Sequence, residues 1–361
     1  MDYQQSPLLV YWEMTQSCPL ACQHCRASAI PHRDPRELTT EEGFRFLERL
    51  ARFGDTLPHL VLTGGDPLQR PDLFDLIAKA HSLGLTVAVT PAGTPHLTKE
   101  IIERFKESHV WMMALSIDGS SPARHDRVRG VDGSFDNTVR AVHWAREVGL
   151  PLQINTLVCD QTVEDLPPLY ERLKEMGIAQ WALFFLIQVG RGEVLKEVDP
   201  EKSEEIMRWA TDMSKSAPFR IRTTEAPHYR RMVSQWETAE QRAGHAVQKN
   251  EHIRQAHGVR DGNGIMFVSH IGEIYPSGFL PLKVGSVRRD DPVEVYRSAP
   301  LLLQLRDADQ LKGKCGLCEY RNICGGSRAR AYAATGDPME SDRLCPYEPA
   351  KYRRPGAVVQ A

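Results

Sequence analysis

The chain has 361 residues, of which 41% are hydrophobic and 25% are charged, as in an ordinary globular protein with one large and one small domain. Its formal net charge of −2 provides no basic surface for nucleic acid, and no apolar run is long enough to cross a membrane. Because the N-terminus also shows no signal-peptide pattern, we expect a cytoplasmic protein.

Strand-like and helix-like segments alternate from residue 8 to about residue 216. The strand-like segments are rich in apolar, β-branched and aromatic residues. They lie at residues 8–14, 59–63, 85–90, 111–117, 151–158 and 180–187. The segments between them carry helix signals, such as Pro71 at the start and Gly84 at the end of one of them. Six such units predict an α/β fold around a parallel sheet, either curled into a partial barrel or flat and doubly wound.

Seven of the eight cysteines fall into two groups. Cys18, Cys22 and Cys25, here called the N-terminal triad, have the spacing C-x3-C-x2-C and follow the first predicted strand. Clustered cysteines in a chain without an export signal indicate metal ligands rather than disulfides. Three thiolates on a cubane iron–sulfur cluster would leave one iron open, whereas the alternatives are a zinc knuckle or scattered core cysteines. Cys159 has no partner at ligand spacing, so we expect a buried free thiol.

The second group lies near the C-terminus and is here called the C-terminal set. It comprises Cys315, Cys318, Cys324 and Cys345. Its spacing is C-x2-C-x5-C-x20-C, so four thiolates can close a site completely. Such a closed site suits either zinc or an iron–sulfur cluster with a structural or electron-transfer role.

Polar and glycine-rich motifs follow other predicted strands. TGGDPL at 63–68 contains two glycines that let the backbone approach a ligand closely. SIDG at 116–119 is followed by ARHDRVRG at 123–130, and Asn155 lies inside the fifth predicted strand. Thr156 should point the opposite way from Asn155, because strand side chains alternate. The alternatives are an ordinary turn for TGGDPL, a turn with a helix cap for SIDG and a structural salt bridge for Arg129 in ARHDRVRG.

Together these motifs resemble the radical S-adenosylmethionine (SAM) superfamily, and the C-terminal set resembles its SPASM/twitch extension. The resemblance implies a partial (β/α)6 barrel with a small C-terminal iron–sulfur domain. It implies that the N-terminal triad holds a [4Fe–4S] cluster, which cleaves SAM to a 5′-deoxyadenosyl radical that abstracts hydrogen from a substrate. The residues that it implies for SAM binding are Gly64, Gly65, Asp66, Ser116, Asp118, Arg129 and Asn155. Catalytic residues acting on the substrate are not indicated.

The same resemblance assigns one auxiliary [4Fe–4S] cluster to the C-terminal set. Full SPASM domains carry a second one, but two of its ligand positions are occupied here by Ser277 and Arg328. Neither side chain replaces a thiolate well, so we expect a single auxiliary cluster with Arg328 as a nearby cation or a surface residue. The predicted domains are the barrel at 1–216, a helical bridge at 217–262 and the auxiliary cluster domain at 263–361.

The combined motifs are most similar to the branch of the superfamily that modifies tetrapyrroles. That similarity implies hydrogen abstraction from a propionate side chain and loss of carbon dioxide, with a ferredoxin or flavodoxin as electron donor. Basic side chains should hold the substrate carboxylates or approach a haem iron. The candidates are Arg191, Arg222, Arg230, Arg231 and His228. The alternatives are a maturase of a ribosomally made precursor peptide and a non-enzymatic metal-binding interaction module.

Overall fold

One ten-stranded sheet organises residues 2–244 and 259–352, the part of the chain that the computed structural model describes. The strands are β1 (Leu9–Glu13), β2 (His59–Thr63), β3 (Val87–Val89), β4 (Met112–Ser116), β5 (Leu152–Val158), β6 (Gln180–Phe185), β7 (Arg220–Thr224), β8 (Ile265–Val268), β9 (Glu273–Tyr275) and β10 (Gly285–Ser286). Their order in the sheet is β10-β9-β8-β1-β2-β3-β4-β5-β6-β7. All neighbours from β8 to β7 are parallel, whereas β9 and β10 add an antiparallel edge.

Helices connect the successive parallel strands, and further short helices follow the last strand. They are α1 (Thr40–Leu50), α2 (Leu73–Ser82), α3 (Lys99–Glu107), α4 (Pro122–Arg129), α5 (Ser134–Val148), α6 (Leu166–Met176), α7 (Pro200–Ser214), α8 (His228–Arg242), α9 (Pro292–Ser298), α10 (Pro300–Arg306), α11 (Gly313–Leu317) and α12 (Arg328–Thr335). A reciprocal capping box between Thr39 and Glu42 starts α1. Trp12 of β1 then meets Phe46 of α1 edge to face, with ring centroids 5.3 Å apart.

The six predicted strands are confirmed as β1 to β6, within two residues at each end. Two further parallel strands were not predicted. Strand β7 reads RIRTT, in which arginines and threonines alternate with a single apolar residue. Strand β8 comes from the C-terminal part of the chain and pairs with β1 over Leu9 to Trp12. The barrel therefore gains one strand at each side of the predicted six.

The parallel sheet curls around its own inner face. A single cavity is lined by Thr63 of β2, Ser116 of β4, Asn155 of β5 and Phe184 of β6. Side chains from strands so far apart in the sheet order converge only when the sheet is curved. The partial barrel is confirmed, and the flat doubly wound alternative is wrong.

The segment at 217–262 that we predicted as a helical bridge contains strand β7 and helix α8, and residues 245–258 of it lie outside the described residues. From residue 265 onward, β8 to β10 and four short helices follow. Among the described residues, no helix is both long enough and apolar enough to cross a membrane.

Candidate active site

The N-terminal triad lies in the loop that leaves the C-terminal end of β1. The thiols of Cys18 and Cys22 are buried, and that of Cys25 is half-buried. The amide of Leu20 donates to Cys18 Sγ at 3.4 Å, and the amide of Ala29 donates to Cys25 Sγ at 3.3 Å. Burial raises the pKa of the Cys18 thiol to about 12, so its thiolate needs a positive partner such as iron.

The glycine turn after β2 packs directly on the backbone that precedes Cys18. A Cβ atom on Gly64, whose φ is +142°, would lie 2.3 Å from the carbonyl oxygen of Thr15. One on Gly65 would lie 2.4 Å from that of Ser17. The amide of Gly65 donates to Thr15 O, and the next amide donates to Ser17 O, both at 2.8 Å. Because these amides are engaged, carbonyl oxygens are what the turn can offer to a ligand.

Two more glycines bring other loops onto the cysteine loop. Gly130, directly after α4, has φ +68° and would place a Cβ 2.8 Å from Ala21 O. Gly190, after β6, has φ +55° and would place one 2.4 Å from Arg26 O. A side chain at either position would push the loops apart. The triad is therefore held by close backbone contacts from three separate strand ends.

Asp118 and Arg129 form a buried ion pair beside the triad. Arg129 Nη2 lies 2.6 Å from Asp118 Oδ2, and its Nη1 donates to Cys22 Sγ at 3.6 Å. The amide of Leu157 donates to Asp118 Oδ1 at 2.7 Å. Burial by itself would raise the pKa of Asp118, yet the charge of Arg129 leaves that pKa below its ordinary value. Both carboxylate oxygens are thus committed to protein groups, so Asp118 positions Arg129.

Asp66 differs from the other predicted SAM contacts, because its side chain is fully buried behind the glycine turn. Its Oδ1 accepts from the amides of Leu68 at 3.2 Å and Ala92 at 3.3 Å. Burial raises the pKa of this carboxyl. The side chain therefore holds the turn and the following loop together, and a contact to SAM at this position would be made by backbone.

A cavity of about 230 Å³, here called the first cavity, lies next to the triad. The structure brings to its wall six of the seven residues predicted for SAM binding. These are Gly64, Gly65, Ser116, Asp118, Arg129 and Asn155. The hydroxyl of Thr156 points away from it, as predicted, and accepts from Trp181 Nε1 at 2.9 Å.

Two further arginines of the first cavity differ in their pairing. Arg26 is bonded to Glu13 and lies 4.6 Å over the ring of Phe267. Arg191 donates from Nη1 to Ala29 O at 3.2 Å, and its Nε and Nη2 are buried with no hydrogen-bond partner among the described residues. Sequence reasoning named Arg191 only as a substrate anchor and missed Arg26, although Arg26 directly follows the third cysteine.

His24, between two ligand candidates, also lines the first cavity. Burial lowers its pKa to about 4, so the ring is neutral at physiological pH.

Cys159 is fully buried in an apolar cluster with Val128, Leu157, Leu186 and Leu195, which confirms the predicted buried thiol.

A larger cavity of about 350 Å³, here called the second cavity, begins at the N-terminal ends of the strands and extends along the whole of β7. Its wall includes His59 at the start of β2 and Gln180 at the start of β6. Arg220 and Arg222 of β7 and Ile265 of β8 also line it. It was not predicted, because the strand that contributes its arginines was not recognised.

The C-terminal set lines one small cavity together with the basic side chains Arg231, Lys314 and Arg321. The amides of Tyr320 and Gly326 donate to Cys318 Sγ and Cys324 Sγ, each at 3.4 Å. Burial raises the pKa of Cys345 to about 11 and raises that of Cys324 still further. Four converging thiols, that of Cys324 buried and the others half-buried, lie among cations and suit a bound metal group that would keep them deprotonated.

Arg328 is a buried cation beside this set. Its Nη2 donates to Cys315 Sγ at 3.7 Å, and its Nη1 donates to the carbonyl oxygens of Pro338 at 2.9 Å and Glu340 at 2.7 Å. A Cβ on Gly326, whose φ is +68°, would lie 2.5 Å from Arg328 Nη2. Of the two alternatives for Arg328, the structure shows the nearby cation and not the surface residue.

The predicted substrate anchors are distributed over different sites. Arg191 lines the first cavity, Arg222 and Arg230 line the second, and Arg231 lies at the C-terminal set. His228 is fully buried, and its Nε2 lies 3.2 Å from Ser203 Oγ. The prediction that His228 approaches a haem iron is therefore wrong.

No group of three His, Cys, Asp or Glu side chains within residues 2–244 and 259–352 has the spacing for a single metal ion. Each thiolate of a cubane binds a different iron, so a cluster does not require its ligands to meet at one point. The buried or half-buried thiols of the N-terminal triad and the C-terminal set fit such groups by their chemistry.

Comparison with known proteins assigns the chain to a family. The model of the radical SAM superfamily matches residues 12–173. The AdoMet-dependent heme synthase of Methanosarcina barkeri is 38% identical over 346 residues, which cover 96% of this chain and 98% of that relative. The chain belongs to the radical SAM superfamily. It is therefore an enzyme whose cofactors are SAM and a [4Fe–4S] cluster, and the non-enzymatic alternative is wrong.

Less similar relatives include enzymes whose names refer to peptides. The PqqA peptide cyclase of Granulibacter bethesdensis is 27% identical and covers 98% of this chain and 91% of its own length. SuiB of Streptococcus suis, solved with its precursor peptide SuiA, superposes with a TM-score of 0.70 at 18% identity, over 95% of this chain and 76% of SuiB. At that identity the likeness to SuiB supports the radical SAM fold alone.

Proposed function

We propose that this radical SAM enzyme removes hydrogen from a propionate side chain of an iron tetrapyrrole, after which the carboxyl group leaves as carbon dioxide. The proposal extends to this chain the activity named for the 38% identical heme synthase. The observation in the structure that carries it is a set of cavity-lining guanidinium groups that have no carboxylate partner among the described residues. They belong to Arg191, Arg220, Arg222 and Arg230. A tetrapyrrole propionate is a carboxylate, and a planar guanidinium binds that group through two hydrogen bonds.

The N-terminal triad would hold the SAM-binding cluster, and the C-terminal set would hold the auxiliary one. Once bound, the first cluster and SAM supply the 5′-deoxyadenosyl radical that removes hydrogen. Burial of the triad keeps water away from that chemistry, and the amides of Leu20 and Ala29 stabilise the negative charge on two of its thiolates.

The first cavity would bind SAM. Carbonyl oxygens of the Gly64–Gly65 turn would accept from its ammonium group, and Arg129, fixed by Asp118, would meet its carboxylate. Ser116 and Asn155 would contact the ribose. Asn155 Oδ1 already accepts from Gln153 Nε2 at 2.6 Å, so its amide nitrogen is the group that remains for a ligand.

Propionate loss also leaves one electron, so the enzyme needs single-electron partners. We propose that a ferredoxin or flavodoxin supplies reducing electrons and that the C-terminal set holds the group that receives the surplus one. Oxygen-labile clusters need a reducing compartment, which supports the cytoplasm as the site of action.

Anaerobic enzyme reduced with dithionite should be titrated with iron coproporphyrin in the presence of SAM. We expect a shift of the Soret band with a micromolar midpoint, which corresponds to a binding free energy on the order of −8 kcal/mol. Production of 5′-deoxyadenosine and carbon dioxide should follow. Triad variants with alanine should bind the porphyrin but release no 5′-deoxyadenosine. Absence of a Soret shift, with turnover of a precursor peptide instead, would overturn the proposal in favour of a peptide maturase.

A further inference from the structure

The second cavity begins near the N-terminal ends of the strands, whereas the first one lies toward their C-terminal ends. Both cavities are lined by the same strands, β2 through His59 and Thr63 and β6 through Gln180 and Phe184. In each strand the two residues are four positions apart, which corresponds to about 13 Å along a strand. On the β1 side the second cavity reaches Tyr11, which pairs with Val61 about 7 Å below Thr63. On β7 it extends to Thr224, which pairs with Phe184 of the first cavity, so the two cavities reach the same level there.

Two cations of β7 face the second cavity without a protein counter-ion. Arg220 and Arg222 are two residues apart on one strand, so both side chains lie on the inner face. Within the described residues, neither guanidinium group forms a hydrogen bond or an ion pair, and Arg222 Nε is buried. A third lining cation, Arg230, bonds only carbonyl oxygens, including that of Val259 at 2.6 Å.

The two carboxyl groups on the same wall do not neutralise these arginines. Asp261 accepts from the backbone amides of Arg328 and Ala329 at 3.0 and 3.1 Å. Glu225 accepts from the hydroxyl of Ser327 at 2.6 Å. Burial, followed by the charge of Asp261, raises the pKa of Glu225 to about 8, so this carboxyl is protonated at neutral pH. The second cavity therefore carries a net positive charge.

Aromatic side chains give the second cavity a flat apolar wall. The rings of His59 and Trp111 stack with centroids 5.8 Å apart and planes 20° from parallel. Trp111 nevertheless remains 52% exposed, and Tyr11 lines the same space. A large exposed indole beside uncompensated cations suits a ligand that combines a flat ring with carboxylates.

We propose that the second cavity is the substrate site, in which Arg220 and Arg222 bind the carboxylates of the substrate and the His59–Trp111 pair packs against its ring. This inference rests on the proposed function and gives it a location. The substrate then reaches the first cavity from the N-terminal side of the barrel, and the side of the first cavity that faces the triad is left to SAM.

The test compares wild-type holoenzyme with Arg222→Gln and Arg220→Gln under anaerobic conditions. Arg222→Lys keeps the charge but loses the planar fork, and Arg45→Gln removes an exposed cation of α1 that lines neither cavity. The dissociation constant of iron coproporphyrin is read from the Soret band, and that of SAM from equilibrium dialysis. Because Arg222 has no hydrogen bond or ion pair among the described residues, its replacement breaks none of these interactions there.

We expect Arg222→Gln to raise the porphyrin dissociation constant by about tenfold or more. Arg222→Lys should lie between Arg222→Gln and wild type, whereas SAM affinity and Arg45→Gln should match wild type. If the β7 variants bind porphyrin like wild type while Arg191→Gln does not, the substrate lies in the first cavity and this inference fails, although the proposed function stands. If wild-type enzyme binds no porphyrin at all, the proposed function fails and this inference with it.

Discussion

Removal of the Arg129 guanidinium should leave a buried carboxylate without its counter-ion. The side chain of Asp118 is 1% exposed and that of Arg129 is 11% exposed, and their closest atoms are 2.6 Å apart. In the variant Arg129→Gln, Asp118 Oδ1 keeps the bond from the Leu157 amide, but Oδ2 loses its partner. Loss of one partner of a buried pair costs about 3–5 kcal/mol of folding free energy.

The pH dependence of that loss has a definite sign. Without Arg129, burial raises the pKa of Asp118 above the unfolded value, so the folded variant binds a proton more readily than the unfolded chain. The deficit in stability should therefore be largest at neutral pH and should shrink as the pH falls. In wild type, where Arg129 holds the Asp118 pKa low, the contribution of the pair is lost as the pH falls.

Anaerobic urea denaturation followed by circular dichroism measures this effect. Asp118→Asn/Arg129→Gln removes both charges and keeps an acceptor for the Leu157 amide, so it should recover most of the lost stability. Arg127→Gln, at an exposed position of the same helix, is the matched control and should match wild type. If Arg129→Gln and Arg127→Gln are equally stable, or if the double variant is the least stable of all, the buried ion-pair argument is refuted.

Three further predictions address the metal sites, a glycine contact and a buried histidine. Anaerobic wild type should carry about eight iron atoms and the all-alanine triad variant about four, by iron assay, whereas stoichiometric zinc with little iron would contradict the two-cluster assignment. In Gly64→Ala the new Cβ would lie 2.3 Å from Thr15 O, so the variant should lose both thermal stability and triad iron. In the control Gly54→Ala, φ is +120° but no atom lies within 4 Å of the new Cβ, so the variant should lose stability only modestly and keep its iron. Burial lowers the pKa of His125 to about 4, so the unfolded chain binds an extra proton at this residue, and His125 alone should contribute a loss of wild-type stability of about 1.4 kcal/mol per unit as the pH drops below 6.5. His125→Asn should flatten that slope in urea titrations, and an unchanged slope would mean that His125 does not titrate on unfolding.

Local patterns in the sequence were sufficient to predict the first six strands of the barrel and the helices between them. Strands β1 to β6 follow from short segments rich in apolar, β-branched and aromatic residues and from glycine and proline at the helix ends, which are properties of a few neighbouring residues. The position of the triad after β1 follows from chain order, because parallel strands bring their C-terminal ends to one side. The outward Thr156 follows from the alternation of side chains along a strand, and the buried Cys159 follows from its lack of a partner at ligand spacing.

Contacts between distant segments were decided by the tertiary structure alone. Strand β8 completes the barrel by pairing residues 265–268 with residues 9–12, and β7 is too polar to be recognised before the cavity that it lines is known. Arg191 and Arg222 look alike in the sequence, yet one lies beside the triad and the other in the second cavity. His228 has the side chain of a metal ligand but lies fully buried against Ser203. A residue type limits which chemistry a side chain can perform, whereas burial, partners and position relative to a cavity depend on chain segments that no local pattern brings together.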